Sequence, residues 1–401
     1  GWYCFGCGLG GDVLQLVEFI QSGEVTTGRS GSMPESHQRA RDFLAAKANL
    51  PPLSQYGLSP ERLRETEAER MLELRVQEAL TALADLYHQR LKDSPEVLEW
   101  FRSRYRISDE TINSLSIGYA VNGPWKDNDG REHSGVISAL TDGEQTFTLR
   151  ELAATGAFRP TNQDGLFPFF ERRIVFPYWS RGRVVFLIGR KTPWTPDNPW
   201  EQGKYRKLTV HDDQANKHIA PCINNGHLYN EDCLLAGPER VVITEGVTDC
   251  ISLMENGFPA VSPVAVRIRG SDWDRLLPKL RGVKTVYICQ DNEVSQAGLN
   301  GALKTAAVLA GHKIQTKLVV LPLEDRQEEA RRELRERFDL DAATGPRELT
   351  KRLEGRPQED IRDAEGLLAA AKIDVNEYFA SGRTAEDFEG LLSEACAPLE
   401  F

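Results

Sequence analysis

At 401 residues, with 40% hydrophobic and 27% charged residues, the chain has the composition of an ordinary globular protein with room for two or three domains. No apolar run approaches the about 18 to 20 residues needed to cross a bilayer, and Gly1 to Gly11 lack a basic, apolar secretion signal, so a cytoplasmic protein without a membrane partner is expected. A formal net charge of −11 excludes indiscriminate polyanion binding; any nucleic-acid contact needs a local basic surface.

Cys4-Phe5-Gly6-Cys7 opens the chain as a C-x-x-C turn able to grip one tetrahedral Zn²⁺. Four ligands are needed, the nearest downstream candidate is His37, and no strand precedes the turn to make it a thioredoxin-like redox motif. The expectation is therefore half of a zinc ribbon whose other ligand pair lies upstream of this sequence. The other cysteines, Cys222, Cys233, Cys250, Cys289 and Cys396, are scattered as reduced, structural thiols are. Asp12 to Ile20 has helical apolar spacing, and the Gly/Ser/Thr-rich stretch from Ser22 to Pro34 reads as a tether.

From Glu61 to Arg90, Leu72, Val76, Leu80, Leu83 and Tyr87 mark one face of a long amphipathic helix, followed by helices at Pro95 to Arg104 and Ser108 to Leu115. Short runs then predict strands at Val136 to Leu140, Thr146 to Leu149, Ile174 to Phe176 and Val184 to Leu187 in an irregular α+β domain. Within it, Phe169 to Gly226 carries ten Lys or Arg against five acids, interleaved with Tyr178, Trp179, Trp194, Trp200 and Tyr205. Bases among aromatics suit a groove that neutralises phosphates and stacks unpaired bases; the same composition also fits a basic surface over an aromatic core.

From Arg240 to Leu321 strands and helices alternate, with strands at Val241 to Thr244, Ala260 to Val264, Thr285 to Cys289 and Lys317 to Val320 and helices at Val247 to Asn256, Ser271 to Leu280 and Gln296 to Ala310. This order calls for a parallel sheet. Two of its strands end on acids, Glu245-Gly246 and Asp291-Asn292-Glu293, where such a sheet opens its crevice. Carboxylates gathered there suit Mg²⁺ or Mn²⁺, which keeps waters and accepts phosphate oxygens. Asp249 and Asp272 read as helix-terminal or surface acids. Glu324 to Ala371 holds 14 acids and 10 bases and reads as two or three solvated helices of a spacer. Asp374 joins the site only if that segment folds back, and a modest helix at Ala385 to Ala395 closes the chain.

Taken together, these motifs resemble those of the bacterial-type (DnaG-like) DNA primases. Cys4 to Gly8 followed by Gly11-Asp12-Val13 is similar to the second half of their zinc ribbon. Glu171 to Pro177, Gly182 to Arg190, Lys204-Tyr205 and His227 to Asn230 resemble the successive motifs of their basic subdomain. Glu245-Gly246 with Asp291-Asn292-Glu293 is similar to the metal motifs of the TOPRIM fold, and Lys372 to Tyr378 to the third acidic motif of primases. The resemblance runs in order along nearly the whole chain.

It implies a mixed α+β basic subdomain followed by a TOPRIM parallel-sheet domain. The expected bounds are a half ribbon at 1–23, linker and helix at 24–70, the basic subdomain at 71–238, TOPRIM at 239–323, the charged helical insertion at 324–371 and the third acidic motif with a helical tail at 372–401. It further implies synthesis of short RNA primers on single-stranded DNA from nucleoside triphosphates by two-metal nucleotidyl transfer. Asp291 and Glu293 would be metal ligands, Glu245 a ligand or proton acceptor, and Asp374 and Asn376 would complete the shell of the second metal, directly or through water. Arg172, Arg173, Arg190, Lys191, Lys204, Tyr205 and Lys207 would contact template or triphosphate. A replicative helicase would act in trans or be fused outside this sequence, which has no Gly-x4-Gly-Lys-Ser/Thr loop.

The chain departs from that pattern at Glu293, which replaces an Asp; in the two extra residues before Ala297-Gly298; in Arg206-Lys207 after Lys204-Tyr205; and in the length of the insertion. These departures leave two other readings open: a TOPRIM enzyme that cleaves phosphodiesters, and a non-catalytic scaffold that binds single strands.

Overall fold

The computed structural model describes residues 1–3, 6, 9–26, 34–48, 60–142, 146–341 and 351–398, with only the backbone described at 60–66 and at Trp200. Cys4 and Cys7, and with them the expected zinc half-site, lie outside the described residues. The chain divides into two units, Gly1–Met71 and Leu72–Phe401.

In the first unit β1 (Trp2–Tyr3) pairs antiparallel with β2 (Gly10–Gly11), and α1 (Val13–Ser22) packs on α2 (Glu35–Lys47). Asp12 caps α1: its carboxylate accepts from Gln15 N at 2.9 Å while the Gln15 side chain accepts from Asp12 N at 3.0 Å, a reciprocal capping box. Helix α2 begins directly after the expected tether, Ser22 to Pro34, of which residues 27–33 lie outside the described residues. Buried Glu18 accepts from Thr26 N at 3.0 Å, from Ser36 Oγ at 2.9 Å and from the Thr26 hydroxyl, and lies 2.9 Å from His37 Nδ1. His37, the downstream zinc candidate, is thus engaged through one ring nitrogen with Glu18.

In the second unit α3 (Pro60–Lys92, beginning in the first) buries Val76, Leu80, Leu83 and Tyr87 completely, the face its spacing predicts. It is followed by α4 (Pro95–Tyr105), α5 (Asp109–Ser114) and β3 (Gly118–Tyr119), then by the hairpin β4 (Trp125–Lys126) and β5 (Glu132–His133). The two runs expected as strands at 136–140 and 146–149 are not strands: the first is helical, and the second is an irregular lead-in, 146–148, to a helix that starts at Leu149. Val136 and Leu140 are buried one turn apart on α6 (Val136–Asp142), and Thr148 with Glu151 forms the capping box of α7 (Leu149–Ala154). The i, i+4 packing of α6 and the cap of α7 outweigh the strand propensity of Val, Ile and Thr.

A second hairpin, β6 (Phe158–Pro160) and β7 (Leu166–Pro168), leads to β8 (Arg173–Ser180), β9 (Arg183–Lys191) and β10 (Tyr205–Lys207), which form an antiparallel sheet ordered β10-β9-β8-β3. Arg181 and Gly182 between β8 and β9 both take positive φ, 51° and 77°, the backbone of a two-residue type I′ hairpin turn.

The parallel sheet expected from the alternation is present, in the order β12-β11-β13-β14: β11 (Arg240–Thr244), β12 (Ala260–Val261), β13 (Thr285–Cys289) and β14 (Gln315–Val319), with every adjacent pair parallel. Helix α8 (Val247–Glu255) follows β11 and α10 (Ala297–Gly311) follows β13. Between them only Trp273–Leu276 (α9) of the predicted 271–280 helix is α-helical, since Pro278 lacks the N–H to extend it and a 3₁₀ turn takes over. The chain leaves β11 for one side of the sheet and returns for β13 on the other, so the crevice opens between the carboxyl ends of β11 and β13.

The charged segment does fold back. Its helices α11 (Asp325–Phe338) and α12 (Gln358–Ala370) pack on each other, with Ala330, Leu334, Phe338 and Ala364 buried against Val294 in a small core of their own. A spacer has no such core. Asn292 and Ile373 then exchange backbone hydrogen bonds at 2.9 and 3.2 Å, delivering α13 (Val375–Ala380) onto α8, and α14 (Ala385–Glu394) ends the described chain.

Candidate functional site

Four acids approach the mouth of the crevice from four elements. Glu245 directly follows β11; its carbonyl accepts from Ser262 Oγ at 2.9 Å, while its buried Oε2 has no hydrogen-bond partner. Asp249 stands in the first turn of α8, where Oδ2 accepts from Gly246 N at 3.0 Å and Oδ1 from Asn376 N at 3.1 Å. Asp291 lies two residues beyond β13. Asp374 is the N-cap of α13, its Oδ1 accepting from Glu377 N at 2.8 Å.

Asp249, Asp291 and Asp374 each offer a carboxylate oxygen, and these oxygens all lie within 4.8 Å of one another. Sequence reasoning had set Asp249 aside as a helix-terminal acid. It is that, but the turn from β11 into α8 aims it at the other two; its place four residues after Glu245, one helical turn away, was the available signal.

Gly298 keeps Asp291 in place despite the two extra residues before α10. Gln296 takes a positive φ of 52°, and the turn closes so tightly that a Cβ on Gly298 would come within 2.9 Å of the Asp291 carbonyl.

Three carboxylates in one partly buried site repel one another. Burial, with the charges of Asp374 and Asp291, raises Asp249 well above the usual carboxylate range; burial likewise raises Asp291, although Lys372 opposes it. Burial and the neighbouring Asp291 push Glu245 up to about 7. Lys372 forms an ion pair with Asp291. Burial alone would lower the lysine, but Asp291, Glu245 and Asp374 outweigh it and keep the ammonium charged. That Lys372 stands two positions before Asp374 is visible in the sequence; that its chain turns back over Asp291 is not.

Several expected site residues are placed otherwise. Glu293 is outside the three-carboxylate group, and its Oε1 faces Gly298 N at 3.4 Å. Asn376 is buried, and its side-chain nitrogen donates to the Tyr105 carbonyl and to Ser252 Oγ, both at 2.8 Å, so it ties α13 to α4 and α8. Arg173 is fully buried and cannot reach a nucleic acid: its Nε donates to Glu201 Oε2 at 2.8 Å and its Nη atoms to the carbonyls of Glu201 at 2.8 Å and Gly203 at 3.0 Å. Asp272 pairs with Arg269 at the surface.

The aromatics of the basic segment are largely taken up in packing. Tyr178 is buried edge-on to Phe186 and Tyr229, Trp194 packs edge-on to Trp100, and Trp179 Nε1 donates to the Leu115 carbonyl at 3.0 Å. Arg190 is different. Its guanidinium lies 4.8 Å from the ring centre of Tyr105 and 5.0 Å from that of Tyr205, whose hydroxyl it also contacts.

Arg190, Lys204, Arg104 and Arg326 share a cavity of about 580 Å³ with Lys372 and Asp374. Cations on and beside the antiparallel sheet thus face Asp374, the N-cap acid of α13, across one space. Lys207 is apart from it, in a cavity of about 140 Å³ beside Arg267 and Arg269; Lys191 lies 3.7 Å from Asp197, and Arg172 is exposed beside Glu171. Among the described residues no helix is long and apolar enough to cross a membrane.

These features define a two-part α/β core in which a basic antiparallel sheet abuts a parallel sheet bearing a carboxylate cluster at its switch point. Residues 86–207 match the family described as the DNA primase catalytic core, N-terminal domain. Its sequence is similar to those of the DnaG-type bacterial DNA primases, and its fold is similar to that of a DnaG catalytic core. It is 25% identical to the DNA primase of Thermotoga maritima over 328 residues, 80% of this chain and 48% of that one, and 24% identical to that of Listeria monocytogenes over 323 residues, 77% and 44%. It therefore spans about half the length of these relatives. Among solved structures it is similar to a DnaG catalytic core (TM-score 0.51, 18% identity, 80% of this chain and 81% of that) and to a DnaG primase catalytic domain bound to single-stranded DNA (TM-score 0.50, 20% identity, 82% and 84%); at these identities the likeness is one of fold.

Proposed function

We propose that the chain is the polymerising core of a primase, which joins nucleotides into short RNA primers on a single-stranded DNA template. The observation that carries this reading is the common cavity: Arg190 and Lys204 face Asp374 and Lys372 across it, and Asp374 belongs to the three-carboxylate cluster. The parallel sheet is read as a TOPRIM domain.

The cluster fits a hard divalent cation, Mg²⁺ or Mn²⁺: three oxygen donors converge, and the unpaired Oε2 of Glu245 adds a buried acceptor nearby. Asp249, Asp291 and Asp374 would hold it. When bound, such an ion neutralises charge on phosphoryl oxygens.

The chain's own residues do the rest. Arg190, fixed between its two tyrosines, presents a planar fork to the triphosphate, and Lys204 adds a point charge. Lys372 offsets the charge of Asp291 and so lets the acids stand close before substrate arrives. Glu245, raised to about 7, is suited to take the proton from a primer 3′-hydroxyl on its free Oε2. Arg172, Lys191, Tyr205 and Lys207 are assigned to the template path, Glu293 to the rim, and Cys4 and Cys7 to a zinc ribbon completed by residues outside this sequence. A replicative helicase as partner and a cytoplasmic place belong to the same reading.

The test is templated primer synthesis with nucleoside triphosphates and Mg²⁺ or Mn²⁺, comparing the unaltered chain with Asp291→Asn. RNA product that disappears in the variant is expected. Cleavage of single-stranded DNA without nucleotides would favour a phosphodiesterase, and DNA binding without product under any metal would favour a scaffold.

A further inference from the structure

We propose that Arg331, from the charged insertion, is a positioning residue of the divalent-metal site and sets the spacing between Asp291 and Asp374. This rests on reading the carboxylate cluster as such a site. Arg331 reaches both acid-bearing loops at once: Nη2 donates to the Asn292 carbonyl at 3.0 Å and to Asn292 Oδ1 at 2.9 Å, and Nε donates to the Ala371 carbonyl at 3.0 Å. Asn292 lies between Asp291 and Glu293; Ala371 lies three residues before Asp374.

Asn292 has every polar group engaged. Its backbone exchanges hydrogen bonds with Ile373, its Nδ2 donates to the Leu321 carbonyl at 2.8 Å, and its two oxygens take the Arg331 fork. The ends of β13 and β14 and the entry to α13 are thereby joined at one residue. A guanidinium suits this junction because its planar donors fix an angle as well as a distance.

Its own position is fixed by packing. Ala330, Leu334 and Phe338 form the buried stripe of α11, in one small core with Val294, the residue after Glu293. Rigid support behind ligating groups is what keeps donors at ligand spacing before the ion binds, and losing such a partner commonly costs about 10 to 100-fold in metal affinity.

The experiment measures Mn²⁺ affinity by calorimetry on the whole chain, with melting temperature and single-stranded DNA binding measured in parallel. Arg331→Ala should weaken Mn²⁺ binding at least about tenfold with DNA affinity unchanged. Arg331→Lys should recover part of the loss, and adding Asn292→Ala to Arg331→Ala should weaken binding little further, because the two act through one contact. Should Arg331→Ala fail to fold, Arg331→Lys carries the test with an affinity several-fold below the unaltered chain. Unaltered Mn²⁺ affinity in the Arg331 variants would overturn the proposal, as would a loss mirrored by equal losses in melting temperature and DNA binding. In either case Asp374→Asn would still abolish Mn²⁺ binding. If Asp374→Asn binds Mn²⁺ like the unaltered chain, the metal reading itself fails.

Discussion

Asn376 N donates to Asp249 Oδ1 at 3.1 Å, coupling α13 to α8 across 127 residues of sequence. A backbone N–H of α13 thus holds the Asp249 carboxylate in place. Asp249→Asn should therefore reduce primer synthesis at least about a hundredfold, whereas Asp272→Asn, which alters a surface pair with Arg269, should leave it within about twofold. Initial rates on a defined template measure both.

Glu245 gives the metal-free protein a pH signature. Its folded value of about 7 lies above the ordinary 4.5, so the folded state keeps a proton that the unfolded chain gives up between them. Stability from this group is full below about 4.5 and is lost as pH rises through about 7. Glu245→Gln should stabilise the metal-free chain by about 3 kcal/mol well above pH 7 and make little difference near pH 4. Urea unfolding at the two pH values reads the difference; an equal effect at both would contradict the assignment.

Arg173 and Arg190 sit opposite neighbours in the sheet's register, Lys191 and Ile174, yet should fail in different ways when changed. Arg173→Ala leaves Glu201 buried beside one remaining partner, Arg206, and should cost about 3 kcal/mol or more of stability. Arg190→Lys removes the planar group from between two rings and should raise the KM for nucleoside triphosphate about tenfold with little change in melting temperature. Thermal melts and steady-state kinetics on the pair separate the roles.

In the first unit, burial of Glu18 opposes ionisation, but hydrogen bonds from Thr26 and Ser36 and the contact with His37 outweigh it and hold the carboxyl at about 2. The stability this supplies is fully present above the ordinary value of 4.5 and is lost as pH falls through about 2. Glu18→Gln should abolish that acid transition, followed through Trp2, which stacks on Phe19 of α1.

The sequence by itself determined what is periodic or contiguous. The face of α3, the strands at the centres of β8 and β9, the parallel second sheet and the acids at the ends of β11 and β13 all follow from apolar spacing, which acts over a few positions. It misread 136–140 and 146–149, where the same residue types suit a strand and a capped helix turn and only packing partners decide. Tertiary structure alone decided which charges meet. Arg173 reads like Arg190, but Gly203 and Glu201 draw it into the interior; Asp249 reads as a surface acid, yet the strand order β12-β11-β13-β14 opens a crevice that sets it within 4.8 Å of acids up to 125 positions away. The insertion looked like a spacer because its charge is local and visible, while its small core and the reach of Arg331 to Asn292 exist only once distant segments close on one another.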